Sequence, residues 1–286
     1  HDKDGWFSAN VSSISFSSAI RNPTLANQFL FYNVGRAILL GNINGIDSLV
    51  TTESLEAYAN SFVRDTLEFF NVDPIRPERV QTIEFGYRLS VSDKLYLDAN
   101  YYYSRYRDFI GFEIGIDATI NTGLITGAQA FRVAANDRDI VTTQGAAIGL
   151  DYYLTDEITL SGNYSWNRLN TATDDPIIPA FNTPEHKFNL SVKGRAIKIG
   201  RTEGWGFSVN YKWVQGFLFE GSPQFTGFIE DYGLVDAQIT KYVDEINGTF
   251  KLGSANILNN RVYQVYGGPL IGRLSYFSAT FDIDPK

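Results

Sequence analysis

The 286-residue sequence predicts an all-β fold, an antiparallel transmembrane β-barrel wall of about ten strands, and three observations carry that prediction. Segment after segment alternates apolar and polar residues with the two-residue period of a strand. The connections alternate in length: those near 91–93, 155–157, 197–204 and 244–248 are short, and those at 21–79, 107–140, 168–183, 217–228 and 258–270 are longer. The composition is aromatic-rich, with 21 Phe, 17 Tyr and 4 Trp, yet polar on average, at a mean hydropathy of −0.16. Low hydropathy suits a spanning strand, which needs only ~9–11 residues and turns half of them to a polar lumen. The longest apolar runs, at 29–32 and 37–40, fall far short of the ~18 residues of a spanning helix.

Residues 6–20, WFSANVSSISFSSAI, open the series. Phe7, Ala9 and Val11 share one face and Ile14 and Phe16 the other, which predicts a strand with a bulge near Ser12 and Ser13. Asn22-Pro23 ends it, because Pro has no N–H for the ladder. The 21–79 excursion reads as one long extracellular loop. Within it Leu55, Tyr58, Phe62, Leu67 and Phe70 recur near helical spacing behind Thr52-Glu53-Ser54, predicting a short helix near 53–70. Connections of this length are usually functional or disordered.

Regular alternation begins at Val80. Ile83, Phe85, Tyr87 and Leu89 oppose Thr82, Glu84, Gly86 and Arg88; after a turn at Ser92-Asp93, Leu97, Ala99, Tyr101 and Tyr103 oppose Asp98, Asn100, Tyr102 and Ser104. Burying Glu84 and Asp98 in a dry core would cost several kcal/mol each unless paired, a problem that a polar lumen removes. The 107–140 stretch, with many Gly, Asn and Asp residues, reads as a connection. Strands at 142–154, 157–169 and 186–193 follow, and then the clearest one: Trp205, Phe207, Val209, Tyr211 and Trp213 on one face, Gly206, Ser208, Asn210 and Lys212 on the other. Its two Trp residues are separated by eight positions, about 27 Å at ~3.4 Å per residue, the height of an apolar band with an aromatic girdle at each edge. Strands at 232–242 and 249–258 lead to a last one in which Phe277, Ala279, Phe281 and Ile283 share a face. With an even strand count both chain ends fall on the short-turn, periplasmic side.

Chemistry-bearing clusters are scarce. There is no Cys, and the net charge of −8, scattered along the chain, argues against a nucleic-acid partner. His1 and His186 have no partner at metal-ligand spacing. Asp174-Asp175 reads as a solvated turn and Gly123 and Gly127 as loop glycines; a Ca²⁺ site in a loop stays open on sequence, though Asn136-Asp137-Arg138-Asp139 lacks the spacing of an EF-hand. No catalysis or cofactor is expected, and no residue is singled out as a metal ligand. The polar residues near the long-loop ends of the strands, Tyr106, Arg107, Asn167, Arg168, Lys212 and Gln215, are the candidate substrate-binding residues, competing with the plainer reading of a hydrated lumen wall. The chain starts at His1 and has no Met, and is expected to be a processed chain or a piece of a longer one.

Five stretches, RNPTLANQF followed by NVGRAILLGN, PERVQTIEFGYRLS, NTPEHKFNLSV and ANILNNRVYQVYGGPLIGRLSYF, occur in an order that resembles the C-terminal part of a TonB-dependent outer-membrane receptor. The resemblance is closest to receptors with a carboxypeptidase-regulatory-like N-terminal extension. It implies a barrel of about 22 strands around a plug, of which this chain supplies about ten as a single barrel region over 1–286, the plug and earlier strands being absent. It implies TonB-dependent uptake of a scarce nutrient (siderophore, glycan, peptide or vitamin) in the bacterial outer membrane. The implied partners are outer-membrane lipid, the TonB complex through the plug, the remaining barrel strands and plug, and an extracellular ligand-capturing lipoprotein. Two other readings remain open on sequence: a self-contained ten-stranded porin or adhesin barrel, and a soluble β-sandwich binding module. Pairing of the last strand with residues 6–20 would mark the self-contained barrel.

Overall fold

The computed structural model of the protein describes residues 7–35, 37–69, 71–170, 181–220 and 226–282. The chain starts in β1 (Phe7–Arg21) and then leaves the main sheet through α1 (Leu25–Phe29), β2 (Phe31–Asn33), β3 (Ala37–Leu40), β4 (Val50–Thr51) and α2 (Thr52–Ser61). It returns as β5 (Glu78–Val91) and β6 (Leu95–Arg107), and departs again in a hairpin of β7 (Ile110–Asn121) and β8 (Leu124–Asn136). Next come β9 (Val141–Tyr153), β10 (Ile158–Asn170), β11 (His186–Ile199) and β12 (Thr202–Val214), a small hairpin of β13 (Phe217–Glu220) and β14 (Thr226–Ile229), and finally β15 (Tyr232–Val243), β16 (Gly248–Ala255) and β17 (Leu274–Phe281).

Ten of these strands form one wall in the order β1-β5-β6-β9-β10-β11-β12-β15-β16-β17, every neighbouring pair antiparallel. Among the described residues β1 bonds only to β5 and β17 only to β16, so the sheet is open. That overturns the self-contained ten-stranded barrel, whose end strands must pair. A sandwich is overturned as well, because among the described residues the apolar face of the wall has no second sheet upon it: Phe16 is 70% exposed, Leu190 55% and Phe277 69%. An open, twisted sheet with an uncovered apolar face is part of a larger barrel wall.

Register explains how the two faces stay separate. Rows such as Tyr152–Leu160–Val192–Val209 run across the apolar face, and Gly149–Asn163–Asn189–Lys212 across the polar one. A slip of one residue in any strand would exchange them. β1 pairs without a break from Ala9 opposite Ser90 to Arg21 opposite Glu78, and its irregularity lies between Phe7 and Ala9, not at Ser12 and Ser13. Val11 therefore lies opposite Arg88 on the polar face, while Ile14 and Phe16 lie opposite Phe85 and Ile83 on the apolar one. The ladder bonds are made by backbone, and one small apolar side chain on a polar face costs less than breaking them.

Trp205 and Trp213 share the apolar face. Trp213 stacks on Phe188 at 5.5 Å between centroids. At the other end of the strand the Lys241 ammonium lies 5.3 Å from the Trp205 ring and donates to the Glu203 carbonyl. A lysine turned toward backbone oxygen at the edge of an apolar band is a snorkelling side chain. Among the described residues no helix is long and apolar enough to cross a membrane, which says nothing of strands. Ile283, placed by alternation beside Phe281, is outside the described residues.

The four short turns, within 92–94, 154–157, 200–201 and 244–247, all lie at one end of the wall. Ser92 and Asp93 reverse the chain with φ of +51° and +54°, and Asn247 with +43°. The five longer connections all leave from the opposite end. Residues 108–140, read from sequence as a connection, fold into the β7–β8 hairpin, whose Thr122-Gly123 turn has φ of +49° and +84°. Of the Gly and Asn residues that suggested a loop, Asn121 and Gly123 sit at its tip and Gly111 and Asn136 at its open end, while Gly115 lies within β7. This hairpin is the centre of a five-stranded sheet ordered β2-β3-β8-β7-β4, with β3 parallel to β8. Its core is Leu49, Val72, Val133 and Ala135, with Leu40, Ile46 and Phe131 packed against them. α2 starts where the Thr51 side chain accepts from the Ser54 N–H and stops at Phe62, which takes a left-handed φ of +57°. Phe70 is outside the described residues.

Candidate functional site

The polar face near the long-connection end is built in rows. Asn189 Nδ2 donates to Asn163 Oδ1 at 2.9 Å, and Lys212 is the register partner of Asn189 on the next strand. Nearer the long connections, Tyr102 lies directly opposite Gly145, and its hydroxyl reaches past that residue to Asn167 Oδ1 at 3.0 Å. One register pair further again, Ser104 and Thr143 are buried, and so is Val141 opposite Tyr106. Burial on the face of a single sheet requires mass above it, so the folded connections cover this end of the face. Tyr106 packs edge-to-face on Phe109 at 5.4 Å. Below the covered part a concavity of about 370 Å³ is lined by Ser15, Glu84, Arg88, Asp98 and Tyr102 among others. Arg88 Nε contacts Asp98 Oδ2 at 2.6 Å there, and Ser15 donates to Glu84.

Strict alternation divides the six residues picked from sequence. Tyr106, Asn167 and Lys212 are on the polar face, in the rows just described. Arg107 and Arg168 are their chain neighbours and belong to the other face, with Tyr103 and Trp166 respectively. Gln215 follows the end of β12, and its side chain accepts from the His186 N–H at 3.1 Å. Tyr102, Asn163 and Asn189 were missed from sequence, although the period that identified Lys212 also puts them on its face.

The connections are fastened to the wall by a few polar groups. Glu78, 4% exposed, accepts from Arg21 Nη2 at 2.6 Å and from the Ile110 N–H at 3.0 Å. Asn136 accepts from the Arg76 N–H and donates to the carbonyls of Arg76 and Asp108, clamping both ends of the excursions. On β8 the Arg132 guanidinium lies 4.1 Å from the centre of the Phe112 ring. Burial lowers its pKa, with Glu220 opposing, and burial raises that of Glu220, with Arg132 opposing. For both partners loss of water outweighs mutual attraction. Asn182 holds the Glu220 backbone from a third connection, through bonds of 3.0 and 2.7 Å.

His186 is engaged with the Tyr164 hydroxyl at 2.6 Å, and Asp137 accepts from the Asp139 N–H in a local turn. Among the described residues no group of three or more His, Asp or Glu is placed to hold a metal ion. Asp174 and Asp175 are outside the described residues.

The family profile described as "TonB dependent receptor-like, beta-barrel" matches residues 4–259. The chain belongs to the TonB-dependent receptor family. No curated protein is significantly similar in sequence. Among solved structures, the copper transporter OprC superimposes with a TM-score of 0.61 at 15% identity, over 95% of this receptor chain and 37% of that one. The siderophore receptor PirA from Acinetobacter baumannii gives 0.57 at 12% identity, over 94% and 38%. The FrpB iron transporter from Neisseria meningitidis gives 0.55 at 14%, over 96% and 37%. This receptor chain thus spans well under half the length of the structures it matches. The family and these neighbours are receptors and transporters, and the open ten-stranded sheet fits a partial receptor barrel.

Proposed function

We propose that the chain forms the C-terminal part of the barrel wall and the outer loops of an outer-membrane receptor that imports a scarce nutrient with energy delivered by TonB. The observation that carries the reading is the one-sided architecture: short turns at one end, and at the other folded connections that cover the end of the polar face, while the apolar face stays exposed. In this reading the apolar face meets lipid, the long connections face outward, and β1 and β17 pair with the remaining strands of the same receptor around its plug. Tyr106, Asn167 and Lys212 line the path at the mouth, and the chain performs no catalysis. Solved neighbours with copper, siderophore and iron in their names support a metal or metal-chelate cargo among the scarce nutrients, beside glycans, peptides and vitamins.

The test is growth of a strain lacking the receptor with one nutrient limiting at a time: a ferric siderophore, copper, an oligosaccharide, a peptide or cobalamin. Growth should fail on one of these, return with the wild-type receptor, return poorly with Asn167→Ala plus Lys212→Gln, and require TonB. Unimpaired growth under every limitation, or rescue independent of TonB, would overturn the reading.

A further inference from the structure

Just beyond its aromatic belt the apolar face carries a cationic cluster for which the described residues supply no ion-pair partner. Arg79 and Arg107 are direct register partners on β5 and β6, and Arg105 is two residues from Arg107 on the same face. Arg168 flanks them on β10, two residues beyond Trp166. Pairing is unbroken from β1 to β10 across this region, so alternation puts all four on the face of Phe85, Tyr101 and Tyr103. Arg79, Arg107 and Arg168 are exposed. Like charges directly opposite one another on a sheet repel. Yet among the described residues none of the four makes an ion pair or a side-chain hydrogen bond.

Among the described residues the neighbouring carboxylates are engaged elsewhere or form no ion pair with the cluster, and Glu185, beside Arg168, accepts from Trp166 Nε1 at 3.1 Å. Glu78 is held by Arg21 and the Ile110 N–H on the polar face, and Asp108 pairs with Arg76 at 3.2 Å. Asp139, ahead of β9, forms no ion pair with any of the four. Between the arginines the face is a neutral polar platform: the Tyr101 hydroxyl donates to Gln144 Oε1 at 2.8 Å, and Gln144 Nε2 donates to Asn170 Oδ1 at 3.0 Å. Below it the surface is apolar, with Phe85 and Ile148 each 43% exposed.

We propose that Arg79, Arg105 and Arg107, flanked by Arg168, bind the phosphate groups of a lipid headgroup in the leaflet on the long-connection side. Guanidinium forks pair with phosphate in bidentate fashion, which supplies a countercharge that the described residues do not. The apolar surface directly below fits the acyl chains of the same molecule, and this continuity selects a lipid over a free anion. The inference rests on the membrane placement proposed above.

The test uses the full receptor extracted from its own membrane in mild detergent, with lipid retention read by native mass spectrometry. The probe is lipid A carrying two phosphates, compared with the same lipid dephosphorylated. Wild type should retain the phosphorylated form in preference. Arg79→Gln/Arg105→Gln/Arg107→Gln should weaken retention roughly a hundredfold, the product of about fivefold for each charge near a membrane surface. Arg168→Gln alone should weaken it about fivefold. Equal retention of both lipids, an unchanged triple variant, or displacement of the lipid by millimolar inorganic phosphate would overturn the assignment. The triple variant must still sediment with membranes and show the wild-type thermal transition. A wild-type receptor that is inserted in the membrane but shows no preference for the phosphorylated lipid sinks this inference alone, whereas a wild-type receptor that remains soluble without detergent sinks the membrane placement together with it.

Discussion

Tyr102 and Asn167 meet across a strand that separates them: the phenol on β6 donates to Asn167 Oδ1 on β10 at 3.0 Å, passing over Gly145 of β9. The bond exists because position 145 has no side chain. A Cβ there would sit 2.5 Å from the Tyr102 ring and 2.7 Å from the Trp166 carbonyl. The ring can swing aside, but the carbonyl belongs to the ladder and cannot. Gly145→Ala is therefore expected to destabilise the wall by about 1–3 kcal/mol, the usual cost of overpacking. Urea unfolding of the receptor in micelles reads this directly. Tyr102→Phe, which removes only the hydrogen bond, should cost about 0.5–1.5 kcal/mol. A Gly145→Ala receptor as stable as wild type would mean that the sheet yields where its register says it does not.

Glu78 joins the wall to the β7–β8 hairpin. Its partner Arg21 is 55% exposed and recovers water when the carboxylate is removed, so the ion pair contributes little. The Ile110 N–H is buried with it and has no such recourse. Glu78→Ala should loosen the start of the hairpin by about 1–3 kcal/mol, the price of a buried unpaired donor. Glu78→Gln keeps an acceptor and should stay near wild type. Limited proteolysis around residues 108–110 distinguishes them, and equal cleavage of both variants would show that charge, not acceptance, matters.

Tyr58 anchors α2 to the hairpin tip: it is 1% exposed, and its hydroxyl donates to the Gly123 carbonyl at 2.8 Å. Tyr58→Ala should cost about 3–5 kcal/mol, as for other large aromatic truncations in cores. The loss should stay local, because α2 packs on the connections and not on the wall. Hydrogen exchange should speed up across 52–61 and 120–126 while β9 to β12 remain protected. Faster exchange in those wall strands would refute the separation of the two layers.

The wall was legible in sequence and the cap only in part, for a physical reason. In the wall one face meets an apolar medium and the other a polar one, so every strand from Val80 to Phe281 carries the two-residue period openly. In β7 and β8 both faces have mixed surroundings: Glu113 and Arg132 are buried while Ile114 is 44% exposed, and the period is blurred. Glycines at the tip then dominate the reading. Alternation also separates neighbours among the candidate site residues. Tyr106 with Arg107, and Asn167 with Arg168, are adjacent pairs, and one face cannot hold both members. Contacts such as Tyr102 with Asn167 depend on the order of strands across the sheet, which one sequence does not spell out.

Glu220 makes the fit between two outer hairpins depend on pH. Its carboxyl is raised above the ordinary range mainly by burial, with Arg132 pulling the other way, and its backbone is held by Asn182 in either protonation state. A carboxyl raised on folding favours the folded arrangement while protonated. The contribution is fully present below the ordinary carboxylate range and is lost as pH rises through the elevated value. Amide exchange across 217–220 and 226–229, corrected for intrinsic rate, should accordingly be slowest in mild acid and quicken toward neutrality. Glu220→Gln should remove that dependence and leave protection high throughout, which separates Glu220 from other carboxylates titrating in the same range. Arg132→Gln removes the opposing attraction, so its transition should move to higher pH and become larger. A profile that is flat in wild type, or one that persists unchanged in Glu220→Gln, would show that the hairpins are held by the Val214, Ile229 and Tyr232 cluster alone.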